Sequence, residues 1–379
     1  MGGRNQQRGG HTEPGVVARR RGGLLFLLTE AFHSPGGIQN YNRDRVQALR
    51  LCRPTDALEL LVLNDTPDDV QQSEWRGLHA IGFSRRRGRF AAHSIALALR
   101  QQPERILLGH RHLLPLAPLL AAAAPRAALW LLTHGIEVRR PFNWVERAGL
   151  RCVQRVLTVS PDTARRVCAA GHAGAVELWP NSLPFSWSLP EPTAPRLERP
   201  LRLLTVSRLA PPEREKGIDH TIRALASLVA SGQDVQLDIA GEGEDLARLQ
   251  HIAREEDVAG CVLFHGRTAP DALQRLYGAC DVFVLPSAGE GFGIVYLEAM
   301  AYARPVVAAN AGGAPFVVRP GTSGWLVPYG DPARLAACLA EIVARPDEAR
   351  RMGLAGRRLL EAEFTFERLV ARTARLLEG

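Results

Sequence analysis

EGFGIVYLEAMAYARPVVAANAGG, Glu290 to Gly313, is the stretch that decides how this 379-residue chain is read. It sets two carboxylates, Glu290 and Glu298, eight residues apart with a glycine-flanked turn between them. Just upstream, DVFVLPS (Asp281 to Ser287) is a short apolar run that reads as a buried parallel strand. The order strand, glycine-rich turn, helix predicts a loop at Glu290 and puts Glu298 about two turns into the helix. Backbone N–H groups of Gly291, Phe292, Gly293 and Ile294 then lie at the helix N-terminus. Unpaired amides and the helix dipole attract phosphate or sugar oxygens there. One carboxylate beside that anion site and another deeper along its wall suit a ligand with both phosphates and hydroxyls, the chemistry of a nucleotide sugar.

A second signal lies upstream. Of 47 basic residues, one is a lysine, Lys216. It sits in VSRLAPPEREKGIDH (Val206 to His220), after the strand pattern LRLLTV (Leu201 to Val206), and is read as opening a helix. A cation at a helix N-terminus opposes the dipole, so stability does not account for it there. Arg208 and Lys216 are expected to converge on a diphosphate at the strand's carboxyl end, where open α/β sheets bind ligands.

These segments occur in a fixed order between about residues 200 and 330: SRL then KG, AGEGED, VLFHG, DVFVLPS, the paired glutamates, RPVVAANAGG. In this the chain resembles the retaining GT-B glycosyltransferases (family 4-like, group 1), which include sucrose-phosphate synthase and bacterial mannosyl- and glucosyltransferases. The resemblance implies an α/β fold of GT-B architecture, two doubly wound Rossmann-like domains facing across a cleft. It implies transfer of a hexose from a nucleotide-diphosphate sugar, with retention, to an envelope polysaccharide, glycolipid or lipid-linked glycan. By the same resemblance, Glu290 holds a hydroxyl of the transferred sugar and Glu298 holds ribose hydroxyls. Gly36 and Gly37 lie by the donor phosphates, His134 touches the transferred sugar, and Gly266 with Arg267 meets the nucleotide base. Two departures stand out: Phe316 occupies the position of a usual glutamate in GGAPFVV, and Tyr296 that of an aliphatic residue. UDP-, GDP- and ADP-sugars stay open as donors, and a catalytically silent sugar-nucleotide-binding protein is the alternative.

Composition narrows the setting. Six cysteines are scattered without a C-x-x-C pair, as expected of reduced thiols and not of a zinc site. No D-x-D triplet occurs, so no metal bridge to the diphosphate and no cofactor is expected. AGEGEDLARL (Ala240 to Leu249) imitates a dinucleotide fingerprint, but Leu246 stands at the third glycine position. No stretch is apolar enough to span a membrane, since Ile106 to Leu132 is broken by charges and prolines. The first 23 residues lack the apolar core of a secretory signal. A cytoplasmic protein, peripheral at the inner face of the cell membrane, is expected.

The charge is divided. Residues 1 to 200 hold 27 arginines against 16 acidic residues, whereas the remainder holds 20 basic against 23 acidic. The basic half is the acceptor side in the resembling family, and it suits an anionic surface or a phosphate-bearing acceptor. Arg85, Arg86, Arg87 and Arg89 cluster at a predicted helix start, where a membrane or acceptor contact is expected. No nucleic-acid-binding motif is present. The expected organisation is a disordered basic tail (1–23), an acceptor-side domain (24–187), a Pro-rich linker (188–200) and a nucleotide-sugar domain (201–345). Terminal helices follow (346–379), the last crossing back to the first domain.

Overall fold

The computed structural model describes residues 23–33, 37–54, 57–71 and 78–378. Gly36 and the basic tail up to residue 22 lie outside them. The first half builds a seven-stranded sheet from β1 (Gly23–Leu28), β2 (Ala57–Val62), β3 (His79–Gly82), β4 (Arg105–Leu108), β5 (Ala128–Thr133), β6 (Arg155–Thr158) and β7 (Ala175–Leu178). Their spatial order is β3-β2-β1-β4-β5-β6-β7. The second half builds a six-stranded sheet from β8 (Leu201–Val206), β9 (Val235–Ala240), β10 (Val262–Gly266), β11 (Val282–Leu285), β12 (Val306–Ala309) and β13 (Gly324–Val327). Their order is β10-β9-β8-β11-β12-β13.

Neighbouring strands pair in parallel in both sheets. The sequence dictates this: runs such as VFVL in β11 and VVAA in β12 are apolar at every position and wholly buried, which requires helices on both faces. Each sheet reverses its strand order once, between β1 and β4 and between β8 and β11. At such a switch the flanking loops part and leave a crevice beyond the carboxyl ends of the strands.

The last helix, Phe366–Glu378, lies against the first, Gly37–Cys52. Trp179 Nε1 donates to Thr373 Oγ1 at 3.1 Å, and the guanidinium groups of Arg105 and Arg155 donate to the carbonyls of Leu377 and Leu376. Cations at a helix C-terminus satisfy its last carbonyls and its dipole together. One apolar cluster runs continuously through both halves, from Phe26 and Trp130 through Trp179 and Leu183 to Phe292, Phe364 and Leu369.

Two expectations are corrected. Lys216 does not open an α-helix: it ends a 3₁₀ turn, Pro211–Lys216, and Gly217 in the left-handed region separates it from the helix Ile218–Ala230. The dipole argument therefore does not apply to it. The helix after Glu290 starts at Ile294, capped by Gly293 with φ 93°, so Glu298 sits little more than one turn in.

Candidate active site

The carboxyl ends of both sheets open onto one cavity of about 500 Å³. From the first half, Gly37 and Tyr41 (after β1), His134 and Glu137 (after β5) and Asn181 line it. From the second come Ser207 and Arg208 (after β8), Lys216, and the run Glu290 to Val295 (after β11). A second space of about 870 Å³ adjoins it, sharing Val206, Ser207, Arg208, Pro212 and Val295 and continuing to Gly241, Gly243 and Arg267. Arg208 thus stands on the border of the two.

Backbone meets backbone where the halves approach. A Cβ on Gly135, whose φ is +112°, would lie 2.3 Å from the Cα of Gly291, and one on Gly291 would lie 2.2 Å from the carbonyl oxygen of His134. Nearby, Arg139 from the first half pairs with Glu215 from the second at 2.6 Å.

The cations are already partnered. Lys216 Nζ donates to Glu290 Oε1, both side chains being nearly buried, and Arg208, largely exposed, donates to Glu213. Burial disfavours the Lys216 ammonium, but the Glu290 carboxylate outweighs it and lifts the pKa above the ordinary lysine value. Any anion entering the cavity must compete with these carboxylates for both cations.

His134 is held from three sides. Its backbone N–H donates to Glu137 Oε1 at 2.5 Å, its ring packs edge-on against Tyr41 with centroids 4.3 Å apart, and Nε2 lies 2.8 Å from the carbonyl oxygen of Gly109. A carbonyl only accepts, so Nε2 carries the proton and Nδ1 presents a lone pair. Nδ1 is buried and has no hydrogen-bond partner among the described residues. Burial lowers the His134 pKa to about 4, so the ring is neutral at physiological pH.

Glu298 is not brought into either cavity wall. It is nine-tenths buried, and Tyr277 donates its hydroxyl to Oε2 at 2.7 Å. Burial raises its pKa to about 7 against that bond. Gly266 likewise stays out of the walls, since its carbonyl accepts from Gly241 N–H at 2.9 Å; its neighbour Arg267 takes the exposed position. Arg85, Arg86, Arg87 and Arg89 are exposed beyond the end of β3 and do not line the cavity.

The two departures have structural accounts. Phe316 packs edge-on against Phe292 and Phe364, with centroids 6.2 and 5.9 Å away. Tyr296 is fully buried and its hydroxyl donates to the carbonyl of Leu285 in β11 at 3.0 Å. Tyr41, Asn181 and Glu215 were not singled out from the sequence. Tyr41 follows Gly36 and Gly37 in one segment but carries no motif of its own, Asn181 stands in a segment without glycine or charge clustering, and the sheet topology carries both to the cavity. Among the described residues, no three His, Cys, Asp or Glu side chains group so as to hold a metal ion.

Comparison with known proteins agrees with this geometry. The sequence profile of the glycosyl transferases group 1 matches residues 193–359. A GDP-mannose-dependent alpha-(1-6)-phosphatidylinositol monomannoside mannosyltransferase of Mycobacterium tuberculosis is 35% identical over 285 residues, 69% of this chain and 73% of that protein. An alpha-maltose-1-phosphate synthase of Mycolicibacterium smegmatis is 31% identical over 283 residues, 64% of this chain and 70% of its own. Among solved structures, Anabaena HepE in complex with UDP superposes with a TM-score of 0.76 at 20% identity, covering 94% of this chain and 99% of that one. With two parallel Rossmann-like sheets facing one cleft and relatives of this length and identity, the chain belongs to the glycosyl transferases group 1, glycosyltransferases of GT-B architecture.

Proposed function

We propose that this glycosyltransferase moves a hexose from a nucleotide-diphosphate sugar to an envelope glycan or lipid-linked acceptor, with retention of anomeric configuration. The observation that carries the reading is the convergence of Arg208, Lys216, Glu290 and the amides of Gly291 to Ile294 at the joined carboxyl edges of the two sheets. The relative from Mycobacterium tuberculosis is named as GDP-mannose-dependent, which makes GDP-mannose the first donor to test.

In this reading the nucleotide occupies the adjoining space near Gly241 and Arg267. Its diphosphate displaces Glu290 and Glu213 from Lys216 and Arg208. The two cations and the amides then stabilise the charge that develops on the leaving group. Glu290, freed from Lys216, accepts from a hydroxyl of the transferred sugar. Neutral His134 and Glu137 border the sugar from the acceptor side. Catalysis rests on positioning and electrostatics, without a metal ion or a protein nucleophile.

The test is a thermal-shift and transfer assay with GDP-mannose, UDP-glucose and ADP-glucose in the presence of EDTA. One donor should stabilise the protein selectively, and Lys216→Ala should lower kcat/KM by about 10²- to 10³-fold, the usual loss of one such charge-stabilising group. Turnover appearing only on adding divalent cations would overturn the metal-free part, and no shift with any donor would overturn the donor site.

The acceptor side has its own observation. Arg85 to Arg87 and Arg89 have no ion-pair partner among the described residues; the helix that begins at Arg87 also exposes Leu99, and the helices packed in turn beyond it expose Leu119 and Trp144, the last 82% exposed. We read this basic, apolar-studded face as contacting an anionic membrane that presents the acceptor. Co-sedimentation with anionic liposomes should weaken at least several-fold when the four arginines become serine; unchanged binding would exclude it.

A further inference from the structure

On the far side of the second sheet, at the amino ends of β8, β11 and β12, lies another cavity of about 650 Å³. It is separate from the candidate active site, which sits at the carboxyl ends. Half its wall is the segment joining the two halves, Thr193 to Pro200, and the rest comes from Arg202, Gly278 to Asp281 and Arg304.

Four arginines line it, Arg196, Arg199, Arg202 and Arg304. Arg304 is 3% exposed and donates to the carbonyls of Tyr277 and Gly278 and to Thr193 Oγ1, which fixes it as part of the wall. Arg196, Arg199 and Arg202 are exposed, and their side chains have no ion pair or hydrogen bond among the described residues. Of the two carboxylates present, Asp281 is already engaged by the N–H groups of Leu197 and Arg202 at 2.8 and 3.0 Å. Asp281 acts on Arg304 and Glu198 is the other carboxylate of the wall, so four arginines stand against two acids. The linker backbone is itself pinned, since Arg350 donates to the carbonyls of Pro195 and Arg196. A polar hollow with a fixed frame and unpaired planar guanidinium forks is suited to bidentate recognition of phosphate oxygens.

We propose that this hollow is a second anion site, binding a phosphate-bearing small molecule against the interdomain linker. Its volume lies within the range of small-ligand pockets. Because the linker forms half the wall, occupancy fastens residues 193–202 to the second sheet.

The test titrates the full chain calorimetrically with pyrophosphate, in parallel with Lys216→Ala and with the pair Arg199→Ser/Arg202→Ser. Two sites per chain are expected, one abolished by Lys216→Ala and the other weakened at least about tenfold by the arginine pair, charge-assisted contacts being the strong ones. Amide hydrogen exchange of residues 193–202 should slow on binding in the wild type and in Lys216→Ala, but not in the arginine pair. Arg199 and Arg202 are exposed whereas Lys216 is nearly buried, and an unchanged melting temperature certifies the folding of each variant. Repeating the exchange measurement with orthophosphate and with GDP identifies the source, as free phosphate or nucleotide. A single site lost with Lys216→Ala alone, or no slowing across 193–202 with any of the three anions at millimolar concentration, overturns the proposal.

Discussion

Glu298 is a carboxylic acid that the fold prefers to keep protonated. Burial lifts its pKa from the ordinary 4.5 to about 7, with the Tyr277 hydroxyl pulling weakly the other way. The folded state therefore holds this proton between about pH 4.5 and 7 while the unfolded chain has released it. The neutral carboxyl's contribution to stability is complete below the lower value and lost as pH rises through the upper one. Glu298→Gln keeps the shape without the titration. Its melting temperature should rise relative to the wild type as pH goes from 5 to 8, by the equivalent of up to about 3 kcal/mol. Scanning calorimetry across that range checks it, and a difference independent of pH would refute the assignment. His134 behaves oppositely, since burial lowers its pKa to about 4 and its contribution grows between that value and the ordinary histidine range. His134→Gln should thus show a pH profile opposite in slope to that of Glu298→Gln.

The helix Phe366–Glu378 is the element that binds the chain's end to its beginning. Leu369 is 1% exposed in the cluster shared with Trp179 and Phe364. Leu369→Ala should cost about 2–5 kcal/mol, read as a lowered urea midpoint. Because the cluster spans both halves, both should unfold earlier together. At this scale much was legible in the residues. The run VFVL, apolar at every position, announced a buried parallel strand, and the resemblance carried the two-domain architecture. The turn at Lys216 was not legible, because the left-handed Gly217 that breaks it from the next helix is a backbone choice that periodicity does not register. Nor was the withdrawal of Glu298, which depends on Tyr277 arriving from a helix 21 residues upstream. The residues that resemblance singled out around Glu290 were brought to one cavity, whereas Tyr41 and Asn181 became visible only once the sheets were assembled.

For the whole molecule, the meeting of Gly135 and Gly291 sets how closely the halves approach. Neither position tolerates a Cβ without backbone displacement. Gly291→Ala would wedge the cleft open by pressing on the carbonyl of His134, while leaving both sheets intact. We expect wild-type-like circular dichroism with kcat/KM reduced by about 10²-fold, the usual consequence of a misplacement near 1 Å. Unaltered kinetics would show that turnover does not need the closed contact. The solitary lysine has a further consequence, for chemical labelling. Apart from the amino group at the chain's start, Lys216 is the one primary amine in 379 residues, and its ion pair with Glu290 keeps it protonated and therefore unreactive. An amine-directed reporter should attach slowly at neutral pH and faster in Glu290→Gln, with nucleotide shielding the site in both. Mass spectrometry would follow this at a single address, turning the molecule's near-total reliance on arginine into a built-in handle on its own cleft.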